Sequence, residues 1–371
     1  MKTIIGLSLG LEIILIMASC QEQPEFYYGA DLSYVNEMLD CGGTYRLNGQ
    51  VTDPYQIFAE KGCNLVRVRL WNNPNWTEYS NSDDVFETIR KAKENHMQVL
   101  LDIHYSDTWA DPSHQVIPAT WKGIADLNIL CDSVYQFTFN YLMRLEHAGI
   151  MPEMVQVGNE INIEVMQNRD TSDTKNIDWK RNVALLNSGI KAVRDAGGQA
   201  KSIKPLVMLH IAQPDHAYEW FDSARVNGIA PYDFIGLSYY SNWSDFSMQQ
   251  LSDEVARLKK DFGKEVMVVE TSYPWTLESF DPAHNILGEQ SLDSGFRATP
   301  QGQLQYMITL TQKVIDGGGI GVIYWEPAWI STSCSTLWGQ GSHWENATFF
   351  DAGHQNEALP VFQYMKHPYT K

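Results

Sequence analysis

Residues 154–161 read MVQVGNEI, an apolar run of strand length that passes directly into Gly158, Asn159 and Glu160. A carboxylate at the end of a buried strand is costly unless it is partnered or opens into a cleft, and the chain repeats this layout. Strand-length runs occupy Tyr27–Val35, Asn64–Trp71, Gln98–Tyr105, Met154–Ile161, Lys204–Ile211, Asp233–Tyr240, Glu265–Tyr273 and Gly319–Trp325. From the second run onward they finish polar or aromatic, as RVRLWNN, DIHYSDTW, VGNEIN, LHIAQ, SYYSNW, ETSYPW and YWEPAW. Helical patterns fill the gaps, among them Asp84–His96, Leu127–His147, Trp179–Ala196, Met248–Phe262 and Pro300–Asp316, several closing on Gly. This alternation predicts a parallel sheet. Eight such units in 371 residues predict an α/β fold, a single closed (β/α)8 TIM barrel. An open sheet that binds a dinucleotide would carry GxGxxG after its first strand, where this chain reads NEMLDCGGTY. In a barrel the C-terminal strand ends converge on one face, so the polar endings share one pocket.

Two carboxylates stand out in that pocket: Glu160 on the fourth strand, and Glu270, which closes VMVVE on the seventh. A carboxylic acid facing a carboxylate is the pair that cleaves a glycosidic bond without a cofactor; retention of configuration requires roughly 5 Å between them, and inversion a wider gap. The 12 Trp residues are more than a core of this size demands and suit the apolar faces of sugar rings. A net charge of −18 argues against nucleic acid and polyanionic partners.

The N-terminal stretch MKTIIGLSLGLEIILIMASC has the layout of an export signal. Its ending resembles a bacterial lipobox, so residues 1–19 are expected to be a signal peptide, with Cys20 the lipidated first residue of a barrel domain spanning 20–371. An ordinary cleaved signal is the alternative. Exported and lipid-anchored at the cell envelope, such a protein would meet a membrane only through that anchor. Cys41, Cys63, Cys131 and Cys334 show no CxxC pair and hence no metal framework. Cys63, beside an apolar strand, reads as a buried small hydrophobe, and the pairing of Cys41 stays open.

Seven stretches in order, GADLSYV (29–35), NLVRVRLWNNP (64–74), DIHYSDTWADPSHQ (102–115), VQVGNEI (155–161), ETSYPWT (270–276), GVIYWEPAWI (321–330) and WENATFFD (344–351), resemble the arabinogalactan endo-β-1,4-galactanases of glycoside hydrolase family 53. DIHYSDTWADP separates them best from cellulases, mannanases and xylanases of the same barrel clan. The resemblance implies a retaining endo-hydrolase of β-1,4-galactan, the side chains of pectin, with Glu160 as acid/base and Glu270 as nucleophile. It further implies that Asn159 binds the sugar 2-OH, that Arg69 lies near the nucleophile, and that Tyr240 donates to it. His104 and His210 would be polar contacts and Trp325 the floor under the sugar at the cleavage point, while Asp107, Trp109 and Asp111 would bind sugar from the loop after strand three. Some members hold calcium in the loop after strand seven, for which Asp281, His284 and Asn285 are the candidates here; otherwise no cofactor is expected. The chain departs from the family where VGNEI continues as NIEVMQNRD and where Gln213 stands in place of a Gly. A polysaccharide is the expected partner and the monomer the expected state. The competing readings are a β-mannan or β-glucan hydrolase of the same clan, a non-catalytic glycan-binding lipoprotein, and a metalloenzyme barrel.

Overall fold

The computed structural model describes residues 24–168 and 177–370; the expected signal peptide at 1–19 and the lipidation candidate Cys20 lie outside them. Eight parallel strands close into a barrel: β1 (Tyr27–Asp31), β2 (Leu65–Leu70), β3 (Gln98–Ile103), β4 (Met154–Val157), β5 (Leu206–Ala212), β6 (Phe234–Ser238), β7 (Glu265–Glu270) and β8 (Gly321–Tyr324). Closure is made where β1 pairs with β8, Tyr27 opposite Gly321. Around it run α1 (Pro54–Lys61), α2 (Ser82–Glu94), α3 (Leu127–His147), α4 (Trp179–Gln199), α5 (Pro214–Val226), α6 (Met248–Phe262) and α7 (Pro300–Asp316). Several start on the side-chain caps that the sequence supplies: Asp53 before Pro54, Asn81, a Ser247–Gln250 capping box, and Thr299 before Pro300. No helix among the described residues is long and apolar enough to cross a membrane.

Strand parity sorts the barrel interior into layers. Every strand contributes to an apolar plug at the lower end, through Tyr27, Leu65, Leu100, Met154, Met208, Phe234, Met267 and Ile323. Two residues on, β2 to β5 turn polar in the same inward direction, at Arg67, Asp102, Gln156 and His210. On β1 and β6 the step takes four residues, to Asp31 and Ser238, because the intermediate positions are Gly29 and Gly236. Neighbouring plug residues occupy that space: a Cβ on Gly29 would lie 2.6 Å from Ile323 Cγ1, and one on Gly236 would lie 2.9 Å from Met208 Sδ.

On β7 the parity fails. Val269 packs in the plug, yet Glu270 also faces the cleft. Between β6 and β7 the register shifts, Leu237 pairing with Val268 and Ser238 with Glu270, and this bulge re-aims the glutamate inward.

The loops after β7 and β8 are long and build one wall of the barrel mouth. A disulfide joins Cys41, at the end of the short helix Val35–Asp40, to Cys334 in the last loop, Cα atoms 5.8 Å apart. Cys63 is buried and free. A four-stranded satellite sheet pairs Arg46–Leu47 and Gln50–Val51 with Phe350–Asp351 and Glu357–Ala358, fastening the C-terminal region to the loop after β1.

The Gly29 contact is with a β-branched side chain that has little rotamer freedom. Gly29→Ala is expected to lower stability by about 1–3 kcal/mol through overpacking, read by chemical denaturation. An unchanged midpoint would show that the plug has room to give.

Candidate active site

A cleft of about 570 Å³ opens at the C-terminal ends of the strands, lined by Asp31, Arg67, Arg69, His104, Trp109, Asp111, Asn159, Glu160, Tyr240, Glu270 and Trp325 among others. Glu160 follows β4 in a left-handed backbone conformation, φ 43°, and its side chain is half-buried. One of its carboxylate oxygens lies within 4.8 Å of one of Glu270's, and a ring nitrogen of His210 within the same span of both.

The two carboxylates have different surroundings. Glu270 Oε1 forms an ion pair with Arg67 Nη2 at 2.8 Å, and its Oε2 accepts from the Tyr240 hydroxyl at 3.3 Å. Arg67 is itself buried and also donates to Asp31 Oδ2 at 2.8 Å, Asp102 Oδ2 at 2.8 Å and Asn159 Oδ1 at 2.7 Å. Burial raises the Glu270 pKa, Arg67 lowers it, and Asp102 and Asp31 raise it again, leaving it at about 7. Among the described residues no Lys or Arg pairs with Glu160. Its Oε1 accepts from Ser238 Oγ at 2.6 Å, and burial together with the charge of Glu270 pushes its pKa well above the ordinary carboxylate range. The pair therefore retains a proton near neutrality, and it resides on Glu160 while Glu270 is the first to ionise.

Several of the residues singled out in the sequence meet here. Asn159 Nδ2 donates to Ala110 O at 2.7 Å while its Oδ1 accepts from Arg67, which fixes the amide with one N–H left for the cleft. His104 Nε2 bonds Asp102 Oδ2 at 3.0 Å, and its Nδ1 accepts from Ala110 N at 3.2 Å. His210 sits under Glu160, and Trp325 packs edge-on against Trp344, centroids 4.6 Å apart. Tyr240 faces the cleft, whereas Tyr239 turns away to Phe246 O. Asp111, on the cleft rim, caps the turn at Ser113 and His114.

Three expectations need correction. The arginine on Glu270 is Arg67, not Arg69. Both point inward, but Arg67 lies one inward position deeper, where the bulge delivers Glu270. Arg69 instead bonds Glu326 Oε1 at 2.5 Å, and its guanidinium packs on the rings of Tyr34 and Trp109, 4.3 Å from each centroid. Asp107 does not line the cleft; its carboxylate accepts Asn73 N at 2.9 Å and Ala119 N at 2.7 Å, pinning its own loop. The calcium candidates form no oxygen cage: Asp281 accepts Ala283 N and Ser342 N, Asn285 turns its amide nitrogen to Glu278 O and Ser279 Oγ, and His284 O takes His343 Nδ1.

Arg67, Asp31, Asp102, Gln156 and Ser238 were not singled out, although Arg67, Asp102 and Ser238 open the endings RVRLWNN, DIHYSDTW and SYYSNW. The signal for three of them was a polar residue inside an apolar strand, Arg67 in LVRVRL, Asp102 in QVLLDI and Gln156 in MVQV, since buried polar groups require partners.

Residues 27–365 match the family model described as Glycosyl hydrolase family 53. The chain belongs to glycosyl hydrolase family 53. It is 54% identical over 345 residues, 93% of this chain and 91% of the other, to an arabinogalactan endo-beta-1,4-galactanase of Cellvibrio japonicus (strain Ueda107). It is 32% identical to an endo-beta-1,4-galactanase of Bacillus subtilis (strain 168), covering 92% of this chain and 86% of that one. The fold superposes on the Ignisphaera aggregans GH53 catalytic domain with a TM-score of 0.84 at 30% identity, covering 94% and 98% of the two chains. As a family 53 member the protein is a glycoside hydrolase, and its barrel carries the paired carboxylates that such chemistry uses.

Arg67→Gln would leave Asp31, Asp102 and Glu270 without their shared cation. A destabilisation of about 3–5 kcal/mol is expected in denaturation. Because Arg67 lowers the Glu270 pKa, the acid limb of kcat/KM should move to higher pH in the folded fraction. A stable variant with an unmoved acid limb would count against this role.

Proposed function

We propose that the protein is a retaining endo-β-1,4-galactanase, exported and lipid-anchored through Cys20. The observation that carries the mechanism is the approach of Glu160 and Glu270 within 4.8 Å, with the single guanidinium on Glu270. That separation agrees with direct attack and leaves no room for the intervening water of an inverting site, where the gap is roughly 6.5–9.5 Å. Glu160 gives its proton to the glycosidic oxygen as Glu270 attacks C1; the bonding pair leaves with the departing sugar, and a galactosyl-enzyme forms. Glu160, now ionised, takes a proton from water, which attacks C1 and releases Glu270. Arg67 and Tyr240 hold the Glu270 carboxylate in position. None of these steps uses a metal or an organic cofactor.

The substrate assignment is supported by the galactanase names of the relatives, among them the Cellvibrio japonicus enzyme at 54% identity. Endo action is supported by a second lobe of about 520 Å³ that adjoins the first and shares Trp109, Asp111, His114 and Trp325 with it. Trp329, Leu337 and Trp338 extend that lobe away from the carboxylates, as suits a polymer running past the cleavage point.

Linear β-1,4-galactan and arabinogalactan should yield galacto-oligosaccharides, with the β-anomer appearing first by proton NMR, whereas mannan and cellulose should not be cleaved. Hydrolysis of mannan but not galactan would overturn the substrate assignment. Glu270→Ala should abolish hydrolysis. Glu160→Ala should lose about 10²–10⁴-fold on the polymer and, with azide, give a β-galactosyl azide; an α product would reverse the two roles. Palmitate labelling that survives Cys20→Ala would refute the anchor.

A further inference from the structure

Ser238, fully buried at the end of β6, places its Oγ 2.6 Å from Glu160 Oε1 and 2.9 Å from His210 Nε2. The direction of the second bond is decided on the far side of the imidazole. His210 Nδ1 faces the backbone N–H of Glu160 at 3.3 Å and the amide nitrogen of Gln156 at 3.1 Å. The Gln156 amide is oriented by its own oxygen, which accepts from Arg67 Nε at 3.3 Å. Asn159 Oδ1 is also 3.0 Å from Nδ1, but it already accepts from Arg67 Nη2 at 2.7 Å and from Gln156 Nε2 at 3.0 Å. The two hydrogens of the Gln156 amide go to Asp102 Oδ1 at 2.5 Å and Asn159 Oδ1, so it is the Glu160 backbone N–H, which can only donate, that leaves the lone pair on Nδ1 and the proton on Nε2. Burial, Arg67 and His104 hold the His210 pKa well below the usual range, so the ring is neutral. His210 thus donates to Ser238, and Ser238, with an acceptor site filled, turns its own hydrogen to Glu160.

We propose that Ser238, oriented by His210, is a positioning residue for the acid step: it occupies Oε1 of Glu160 as a donor and so confines the transferable proton to Oε2. The inference deepens the proposed mechanism and rests on Glu160 being the acid/base. In the acid step the Oε2–H bond breaks, the proton passes to the glycosidic oxygen, and the C1–O pair departs with the leaving sugar. The charge that appears on Glu160 meets a hydroxyl already pointing at it, so no rotor has to turn. Glu270 from β7, Asp111 from the loop after β3, Arg67 from β2, Tyr240 after β6 and His210 from β5 also face this group. Ser238 adds to them a donor that favours the carboxylate. Its loss therefore raises the Glu160 pKa, weakens the acid, and moves the alkaline limb to higher pH.

The test compares the full-length enzyme with Ser238→Ala and Ser238→Thr on phenyl and 2,4-dinitrophenyl β-1,4-galactotriosides. Ser238→Ala should lose about 10- to 100-fold on the phenyl substrate, the worth of a hydrogen bond to a charged group, and little on the dinitrophenyl one, whose leaving group needs no proton. Its alkaline limb should rise, and Ser238→Thr should restore both properties. Equal loss on the two substrates with an unmoved limb would reduce Ser238 to a structural role and overturn the proposal. Selective ¹⁵N-histidine labelling gives a readout independent of activity: His210, assigned by loss of its signal in His210→Gln, should show a protonated Nε2 and a bare Nδ1, and the opposite tautomer would refute the relay. Glu160→Ala is run alongside. If it loses no more on phenyl than on dinitrophenyl substrate, the acid/base assignment has failed rather than the relay.

Discussion

Arg67 is buried beneath the cleft with polar partners from four other parts of the barrel: Asp31 on β1, Asp102 on β3, Gln156 and Asn159 on and just after β4, and Glu270 on β7. An ion taken out of water needs compensation in close geometry, and here that geometry can be met only when the barrel has closed with these strands in register. The layer above the apolar plug is thus specified by charge as much as by packing. Its composition also explains the chemistry. One guanidinium contacts three carboxylates, and Glu160 lies beside the last of them. The enclosed excess of negative charge cannot be carried fully ionised, so a proton stays in the cleft. Glu160, which among the described residues has no cation in contact, is where it resides.

A second cation organises the other side. Trp329 stacks on Tyr34 with centroids 3.9 Å apart, Arg69 packs on both Tyr34 and Trp109, and the guanidinium is held by the buried Glu326. Of this cluster Trp329 lines the distal lobe, Arg69 lines the lobe that holds the carboxylates, and Trp109 lines both. Cation–π contact is strengthened where water is excluded, so Arg69 holds the rings of the cleft wall rather than the Glu270 carboxylate. The Cys41–Cys334 bridge ties the loop bearing the exposed Leu337 and Trp338 back to the segment following β1. Both lobes are therefore referred to the same end of the barrel.

These two arginines also show where the sequence was legible and where it was not. Leu127–His147, Met248–Phe262 and Pro300–Asp316 coincide with helices read from the residues alone, because Asp126, Ser247 and Thr299 cap them. Val35–Asp40, Pro54–Lys61 and Pro214–Val226 were not among the helices named; the first two are short, and the third begins directly after the left-handed Gln213 at the end of β5. Strand four was expected to reach Ile161 but ends at Val157, since the chain must turn at Gly158 to present Glu160. Both glutamates could be located as strand ends. The bulge that turns Glu270 inward could not, because it depends on pairing between β6 and β7 rather than on local pattern. Arg67 and Arg69 have equal parity, and only the depth of the layer separates their roles.

Depth and backbone strain meet at the cleft. Tyr105, Glu160, Gln213 and Glu326 all have positive φ, at 51°, 43°, 60° and 48°, and each stands within three residues of the end of a barrel strand. Left-handed backbone costs a side-chain-bearing residue about 1 kcal/mol or more, so its recurrence at one face calls for a return. At Glu160 the return is visible: the bend directs the backbone N–H to His210 Nδ1 while the side chain reaches Ser238. The same residue thereby fixes the tautomer of the ring that orients the hydroxyl bound to its own carboxylate. A relaxed backbone at this position would release that N–H, and the proton on His210 would then be free to move to the side of Asn159. Strain at Glu160 and the placement of its acidic proton are in this way one constraint, set by the turn after β4.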